Sequence, residues 1–186
     1  IVAALKAGFK KKSADDSAAG DGGRTDRDLP STLVLGGSAA IVLLLWSLLT
    51  FKPVPGAPTS AFHNLAAALL VVVFGFLFVT VSSRICGLIG TSANPVSGMT
   101  IATLLGTCLI FVVAGWADDP TQQAAAQAAA LSVGAIVCIA AANAGATSQD
   151  LKTGYIVGAT PFHQQMGLVI GVLVSVAVIG FTLMFM

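Results

Sequence analysis

The sequence predicts an all-α fold: a polytopic membrane helix bundle of about five transmembrane helices, with a broken or re-entrant segment around Asn94-Pro95. Three observations lead there. The chain is 56% hydrophobic and only 9% charged, against roughly 25% charged residues in a soluble domain. Its charges crowd before Pro30; from there to Met186 only Lys52, Arg84, Asp118, Asp119, Asp150 and Lys152 remain, and Glu is absent throughout. Five apolar segments then follow one another, each close to the ~20 residues that a helix needs to cross about 30 Å of hydrocarbon. None shows the alternation of a membrane barrel strand. So few charges cannot cover a soluble surface, and lipid is the expected solvent for most of the chain.

Residues 1–29 read as a flexible basic loop. Lys6, Lys10, Lys11, Lys12, Arg24 and Arg27 are mixed there with five Asp and many Gly, Ser and Ala, a composition that cannot bury a core. Residues 30–186 form the transmembrane region. The first segment runs from about Ser31 to Phe51 and stops at Lys52-Pro53-Val54-Pro55-Gly56. The second runs from about Phe62 to Ser83, and the third from about Met99 to Ala117, before Asp118-Asp119-Pro120. The fourth, Gln123 to Ala146, is dominated by Ala with Gly134 and Gly145, which suits an inner helix packed closely on its neighbours. The fifth runs from about Gln165 to the end, with Gly167 and Gly171 at a close-approach spacing. The chain opens without Met on an apolar run and closes inside another, so it is expected to be part of a longer protein.

If the segments alternate sides, the basic loop, Arg84 and Lys152 share one face, and Lys52, Asp118 and Asp119 the other. Eight of the nine Lys and Arg then lie on one side, which the positive-inside rule assigns to the cytoplasm. A net charge of +1 gives no argument for nucleic acid as a partner. Cys86, Cys108 and Cys138 lie in or beside apolar runs at irregular spacing, so they read as small packing residues, with neither a disulfide framework nor a zinc pattern. No metal-ligand spacing, nucleophile elbow, phosphate loop, dinucleotide fingerprint or HExxH is present. No enzyme, resident metal or cofactor is expected.

The stretch Ser83 to Leu105, SRICGLIGTSANPVSGMTIATLL, carries the leading functional candidate. Pro95 lacks an N–H and disfavours helical geometry at Asn94. Gly87, Gly90 and Gly98 add soft points, and Thr91, Ser92, Asn94, Ser97 and Thr100 supply donors and acceptors. Broken backbone at membrane depth is tolerated where protein or a water-filled cavity satisfies it, and transporters place substrate sites at such breaks. Asn94, Pro95, Ser97, Gly98 and Thr100 are therefore candidates to line a substrate path, with the third helix starting near Val96 to Met99. An ordinary cytoplasmic turn is the competing reading, against which the apolar run at Ile85, Leu88 and Ile89 counts. Arg84 is either a snorkelling anchor or a path residue that pairs with a substrate carboxylate or with Asp150.

The second candidate is Ser148 to Gln165, SQDLKTGYIVGATPFHQQ, which reads as a connector on the same side as Arg84. It holds Asp150, Lys152, His163 and Gln164. Intramembrane ionisable groups often relay protons, and His titrates nearest neutral pH, so Asp150 or His163 is a candidate coupling group. His63, at the outer start of the second segment, reads as an interfacial polar residue without a partner.

These two stretches together resemble the oligopeptide transporter (OPT) family, notably its prokaryotic branch, and the related yellow-stripe-like metal-chelate transporters. The Asn-Pro-Val-Ser-Gly-Met-Thr pattern falls on Asn94 to Thr100 and the Asp-Leu-Lys-Thr-Gly pattern on Asp150 to Gly154. The resemblance covers roughly Leu33 to Met186. It implies a proton-coupled symporter of small peptides or peptide-like metal chelates in the plasma (inner) membrane, with protons, lipid and the remaining transmembrane helices of a longer chain as partners. Two other readings stand beside it. Asn-Pro-Val resembles the Asn-Pro-Ala half-helix loops of aquaporin channels, of which a single copy is seen. A non-transporting scaffold subunit would also suit the small-residue faces of the fourth and fifth segments.

Overall fold

The computed structural model describes residues 30–51, 61–116 and 120–186. The loop read over residues 1–29, the stop at residues 52–56 and the pair Asp118 and Asp119 lie outside them. Among the described residues five α-helices follow in order: α1 Ser31–Phe51, α2 Ala61–Ile89, α3 Val96–Val113, α4 Pro120–Val157 and α5 Pro161–Phe185. One 3-10 turn, Thr91–Ala93, stands between α2 and α3, and no strand occurs among the described residues. Among the described residues four stretches are long and apolar enough to cross a membrane: Phe62–Ile89, Thr91–Val113, Gln122–Val157 and Pro161–Phe185. The first helix contributes a shorter apolar stretch, Gly36–Leu48. This is the all-α, polytopic architecture that the sequence predicts.

The helix ends differ from the expected ones for local reasons. The second helix continues past Ser83 to Ile89, because Ile85, Leu88 and Ile89 extend it rather than form a turn. The third ends at Val113, not Ala117. Gly115 adopts φ 73°, and Gly115 N and Trp116 N donate to Val112 O (3.0 Å) and Phe111 O (3.0 Å), which is a Schellman closure. The largest difference is α4, whose 38 residues run through Asp150 and Lys152 to Val157. At 1.5 Å per residue that is roughly 57 Å, well beyond the hydrocarbon thickness. The expected long connector at Ser148 to Gln165 is therefore mostly helix. Its turn is confined to Gly158–Thr160, closed by a second Schellman motif in which Gly158 has φ 73° and Ala159 N donates to Gly154 O at 2.8 Å. Pro161 then opens α5 at its first turn, where its missing N–H costs nothing.

The chain divides into two compact units, one from Thr32 to Ser148 and another that takes in Gln149–Met186. Within the first, α2 and α3 run antiparallel. Phe62 and His63, at the start of α2, meet Trp116, just beyond α3, at ring-centroid distances of 6.3 and 4.3 Å. Further along, Phe74 covers Gly106 so closely that a Cβ there would stand 2.9 Å from its ring. His63 thus has an aromatic partner, contrary to the reading of it as solitary, and the aromatic cluster suits a membrane interface.

The core of this unit joins Ala67 and Val71 of α2 to Val133 and Val137 of α4, with Leu45 of α1, Phe74 and Phe78 packed against them. Gly134 lies under Leu104 of α3, so the Ala- and Gly-rich face of α4 lets the neighbouring backbones approach. As expected, α4 is the most buried of the four candidate spans. On α5 no residue is buried, and nothing lies within 4 Å of where a Cβ would stand at Gly167 or Gly171.

Candidate functional site

The Asn94-Pro95 break is short and supplies most of its own hydrogen bonds. Gly90 N closes α2 on Cys86 O at 3.0 Å, and Gly90 itself takes φ 112°, ψ 165°, a conformation that is almost confined to glycine. Ala93 N and Asn94 N then donate to Gly90 O (3.2 Å) and Thr91 O (3.1 Å). Asn94 is extended, as a residue before proline should be. Val96 N bonds back to Asn94 O at 2.9 Å across Pro95, whose φ −82° and ψ 50° make an inverse γ-turn. From Val96 the helix α3 begins, where the sequence places it. Since α2 and α3 pair antiparallel, the break is a connection between two spans and not a kink within one.

The break is held against α4. Ala141 O accepts Ser82 Oγ at 2.5 Å and Asn94 Nδ2 at 3.4 Å. Ser148 Oγ donates to Ser83 O at 2.8 Å. Gly145 makes this approach possible: a Cβ there would lie 2.5 Å from Asn94 Nδ2, 2.8 Å from Cys86 Sγ and 3.2 Å from Ser82 Oγ. The cause is helix geometry. A helical side chain leans toward the N-terminus, so the side chain at i+4 overhangs the carbonyl of residue i. Glycine at 145 uncovers the carbonyl of Ala141. The other amide atom, Asn94 Oδ1, is buried with no hydrogen-bond partner among the described residues.

The candidate path residues therefore separate. Asn94 turns inward to α4, while Arg84, Pro95, Ser97 and Gly98 are exposed and Thr100 is half-buried. Thr100 Oγ1 donates to Val96 O at 2.8 Å within its own helix. No side chain caps the N-terminus of α3. Below it, Met99, Thr103, Thr107 and Phe111 form the buried face of α3. Thr103 Oγ1 donates to Met99 O at 2.8 Å, and Thr107 Oγ1 is buried with no partner among the described residues. Sequence reasoning missed Ser82, Ser148, Thr103 and Thr107. The four-residue spacing from Met99 to Phe111 was the available signal for the threonines.

In the second unit, Asp150, Lys152 and His163 are exposed, and Phe162 meets the His163 ring edge-on at 5.6 Å. Gln164 Nε2 donates to the backbone carbonyl of Asp150 at 3.3 Å, while Gln164 Oε1 is buried without a partner among the described residues. The amide rests where a side chain at Gly154 would stand. Among the described residues no group of three or more His, Cys or Asp could hold a metal ion.

The model of one family, the OPT oligopeptide transporter proteins, matches residues 2–186. The chain belongs to the OPT family. It is 33% identical over 166 residues to a Haemophilus influenzae protein named "Putative oligopeptide transporter", an overlap of 84% of this chain and 26% of that protein. The OPT chain thus spans about a quarter of the length of the curated relative that it matches. No solved structure matches it. Its spanning helices and family make it an integral membrane protein of a transporter family. The two stretches that carry the resemblance are the two junctions just described: α2 to α3, and the end of α4 to α5.

Proposed function

We propose that this chain forms part of a secondary-active transporter, not an enzyme, that carries small peptides or peptide-like metal chelates into the cytoplasm together with protons. The match of the OPT family model over residues 2–186 supports this reading above all. In this reading the protein lies in the plasma (inner) membrane with residues 1–29 on the cytoplasmic side. Residues 30–186 are part of a larger transporter domain completed by further transmembrane helices.

The substrate path borders the break. Ser97, Gly98 and Thr100 line the head of α3, where helix N–H groups favour a substrate carboxylate. Asn94 and Pro95 shape that head, and exposed Arg84 offers a cation to the same carboxylate. Asp150 or His163 takes the coupling proton, and Lys152 and Gln164 belong to the same coupling or gating region.

The test is uptake of a labelled tripeptide into vesicles that carry the full chain under an imposed inward proton gradient. Uptake should saturate, collapse with a protonophore, and fall on the order of tenfold in an Asn94→Ala, Ser97→Ala double variant, as expected for the loss of one or two neutral hydrogen bonds. Non-saturating flux that ignores the gradient would indicate a channel. Unchanged uptake in the double variant would remove those residues from the path.

A further inference from the structure

Helix α4 carries two seams of the same spacing. The inner one runs through Ala130, Gly134, Val137 and Ala141, four, three and four residues apart, and all of them are buried. Val137 packs in the core with Ala67 and Val71 of α2, and Gly134 lies under Leu104 of α3. The outer seam runs through Ala135, Ile139, Ala142 and Ala146, again four, three and four apart, and all of these are exposed. Each lies five residues after a member of the inner seam, which is roughly 140° around the helix.

Spacing alone decides nothing, since any helix face repeats in this way. Composition decides. A face that meets acyl chains favours large apolar side chains, and the neighbouring helices follow that rule. From Leu65 to Leu77 every exposed residue of α2 is Leu, Val or Phe, and α3 exposes Ile101, Leu105, Leu109 and Val112. The outer seam of α4 offers three alanines instead. Beside them stands Asn143, exposed within the run Ala135 to Ala146, which otherwise holds no amide, hydroxyl or charged side chain. A carboxamide is costly to leave in hydrocarbon without a partner. Both features belong where a second helix comes close, because small residues let backbones approach and Asn bonds across the contact. The chain spans about a quarter of the length of the curated relative, so in a protein of that size most residues lie outside these five helices.

We propose that the outer seam of α4 seats a further transmembrane helix of the full-length chain. That helix packs closely over Ala135, Ala142 and Ala146 and exchanges a hydrogen bond with the Asn143 carboxamide. This rests on the reading above only in that further transmembrane helices complete the domain; movement of peptide or protons does not enter.

The test uses the full-length chain in membranes, with its native cysteines replaced by alanine. Ala142→Cys, Ala146→Cys and, for comparison, Leu69→Cys and Leu105→Cys each carry a nitroxide spin label. Collision with oxygen marks acyl chains, collision with a water-soluble nickel chelate marks water, and shielding from both marks packed protein. The labels at 142 and 146 should be shielded from both, with oxygen collisions severalfold fewer than at 69 and 105. Thermal unfolding in detergent is the second measurement. Ala142→Leu and Ala146→Leu should lower the unfolding temperature by several degrees, because leucine overfills a close contact while suiting a helix nearly as well as alanine. Asn143→Leu should also unfold early, and equal or later unfolding overturns the bond to Asn143.

Shielded labels at 142 and 146 carry the proposal. Where either is accessible, the two alanine-to-leucine variants decide, since a nitroxide is bulky enough to push a helix aside. A lowered unfolding temperature then keeps the seat, and a parental one overturns it. In that case oxygen access assigns the face to lipid and nickel access assigns it to a water-filled path. Labels at 69 and 105 as shielded as those on α4 overturn it too, since the contrast between faces would be gone. None of these measurements needs substrate. A chain that takes up no peptide therefore faults the transport reading and leaves the seat untouched.

Discussion

The two junctions of this chain solve one problem with different tolerance. Each ends an apolar helix at a glycine of positive φ and starts the next at or just after a proline: Gly90 and Pro95 between α2 and α3, Gly158 and Pro161 between α4 and α5. Each sets a carboxamide against α4, Asn94 on the carbonyl of Ala141 and Gln164 on that of Asp150. In both, a glycine stands four residues after the accepting carbonyl, Gly145 and Gly154, which is where a side chain would otherwise overhang it. Both leave the amide oxygen buried and unmatched among the described residues. The difference lies in the surroundings. Asn94 is short and shares its seat with Cys86 and Ser82, whereas Gln164 is the far end of a long side chain resting on an exposed stretch of helix. The same motif is confined in one place and free to give way in the other.

The strongest test of that contrast is alanine at the two glycines. Alanine in place of glycine favours a helix by about 1 kcal/mol at either position. At Gly154 the new methyl displaces only the Gln164 amide, which can swing outward and loses one hydrogen bond of about 1 kcal/mol. Gly154→Ala should therefore be close to neutral. At Gly145 the methyl meets Asn94, Cys86 and Ser82 at 2.5, 2.8 and 3.2 Å, all on short side chains fixed to packed backbone. Gly145→Ala should destabilise by up to about 2 kcal/mol, the usual overpacking cost of about 1–3 kcal/mol less that helical gain. Thermal unfolding of the full chain in detergent checks both. Equal effects at the two positions would erase the distinction.

The turn glycines separate the junctions in a second way. Gly158, at φ 73°, occupies the left-handed region that Asn also visits. Gly158→Asn should thus cost only a few tenths of a kcal/mol, as at other helix C-terminal caps. Gly90, at φ 112° and ψ 165°, occupies a region open almost solely to glycine. Gly90→Asn should cost about 1–3 kcal/mol. Unfolding temperatures of the pair should differ in that order, and a tolerant Gly90→Asn would mean that the break does not depend on this glycine.

How much of this could be read in the sequence follows from range. The helical class, the spans and the inner character of α4 follow from composition and from small residues, so they were legible. So was the start of α3 at Val96, since Pro95 dictates it locally. Helix ends set by capping were legible in principle: Gly115 and the run Gly158-Ala159-Thr160-Pro161 carry the C-cap glycine and first-turn proline signature. Apolarity pulled the expected boundary to Ala146 instead, because Gln149, Asp150 and Lys152 look like the end of a span, although polar residues are comfortable on a helix that outruns the bilayer. The seat of Asn94 was not legible. It depends on Ser82 and Ala141 meeting across 59 positions of sequence, and no local pattern in an Ala-rich helix marks which carbonyl is uncovered. Gly145 was visible as a small residue, but not as a window.

The finest comparison removes the polar partners themselves. Ser82 is fully buried, and its hydroxyl bonds Ala141 O at 2.5 Å. Ser82→Ala deletes that bond and leaves a small gap, while Ala141 O keeps its own helix partner, so the cost should be about 1 kcal/mol. Gln164→Ala deletes a 3.3 Å bond to Asp150 O from a side chain that is only half-buried. It also takes away the unmatched oxygen of that amide, which offsets the loss, and alanine suits the first turns of α5 as well as glutamine does. Its effect should lie within about 0.5 kcal/mol of zero. If Gln164→Ala proved the more damaging of the two, the α4–α5 junction would be the rigid one, and the seat over Gly145 would lose its claim to be the more confined.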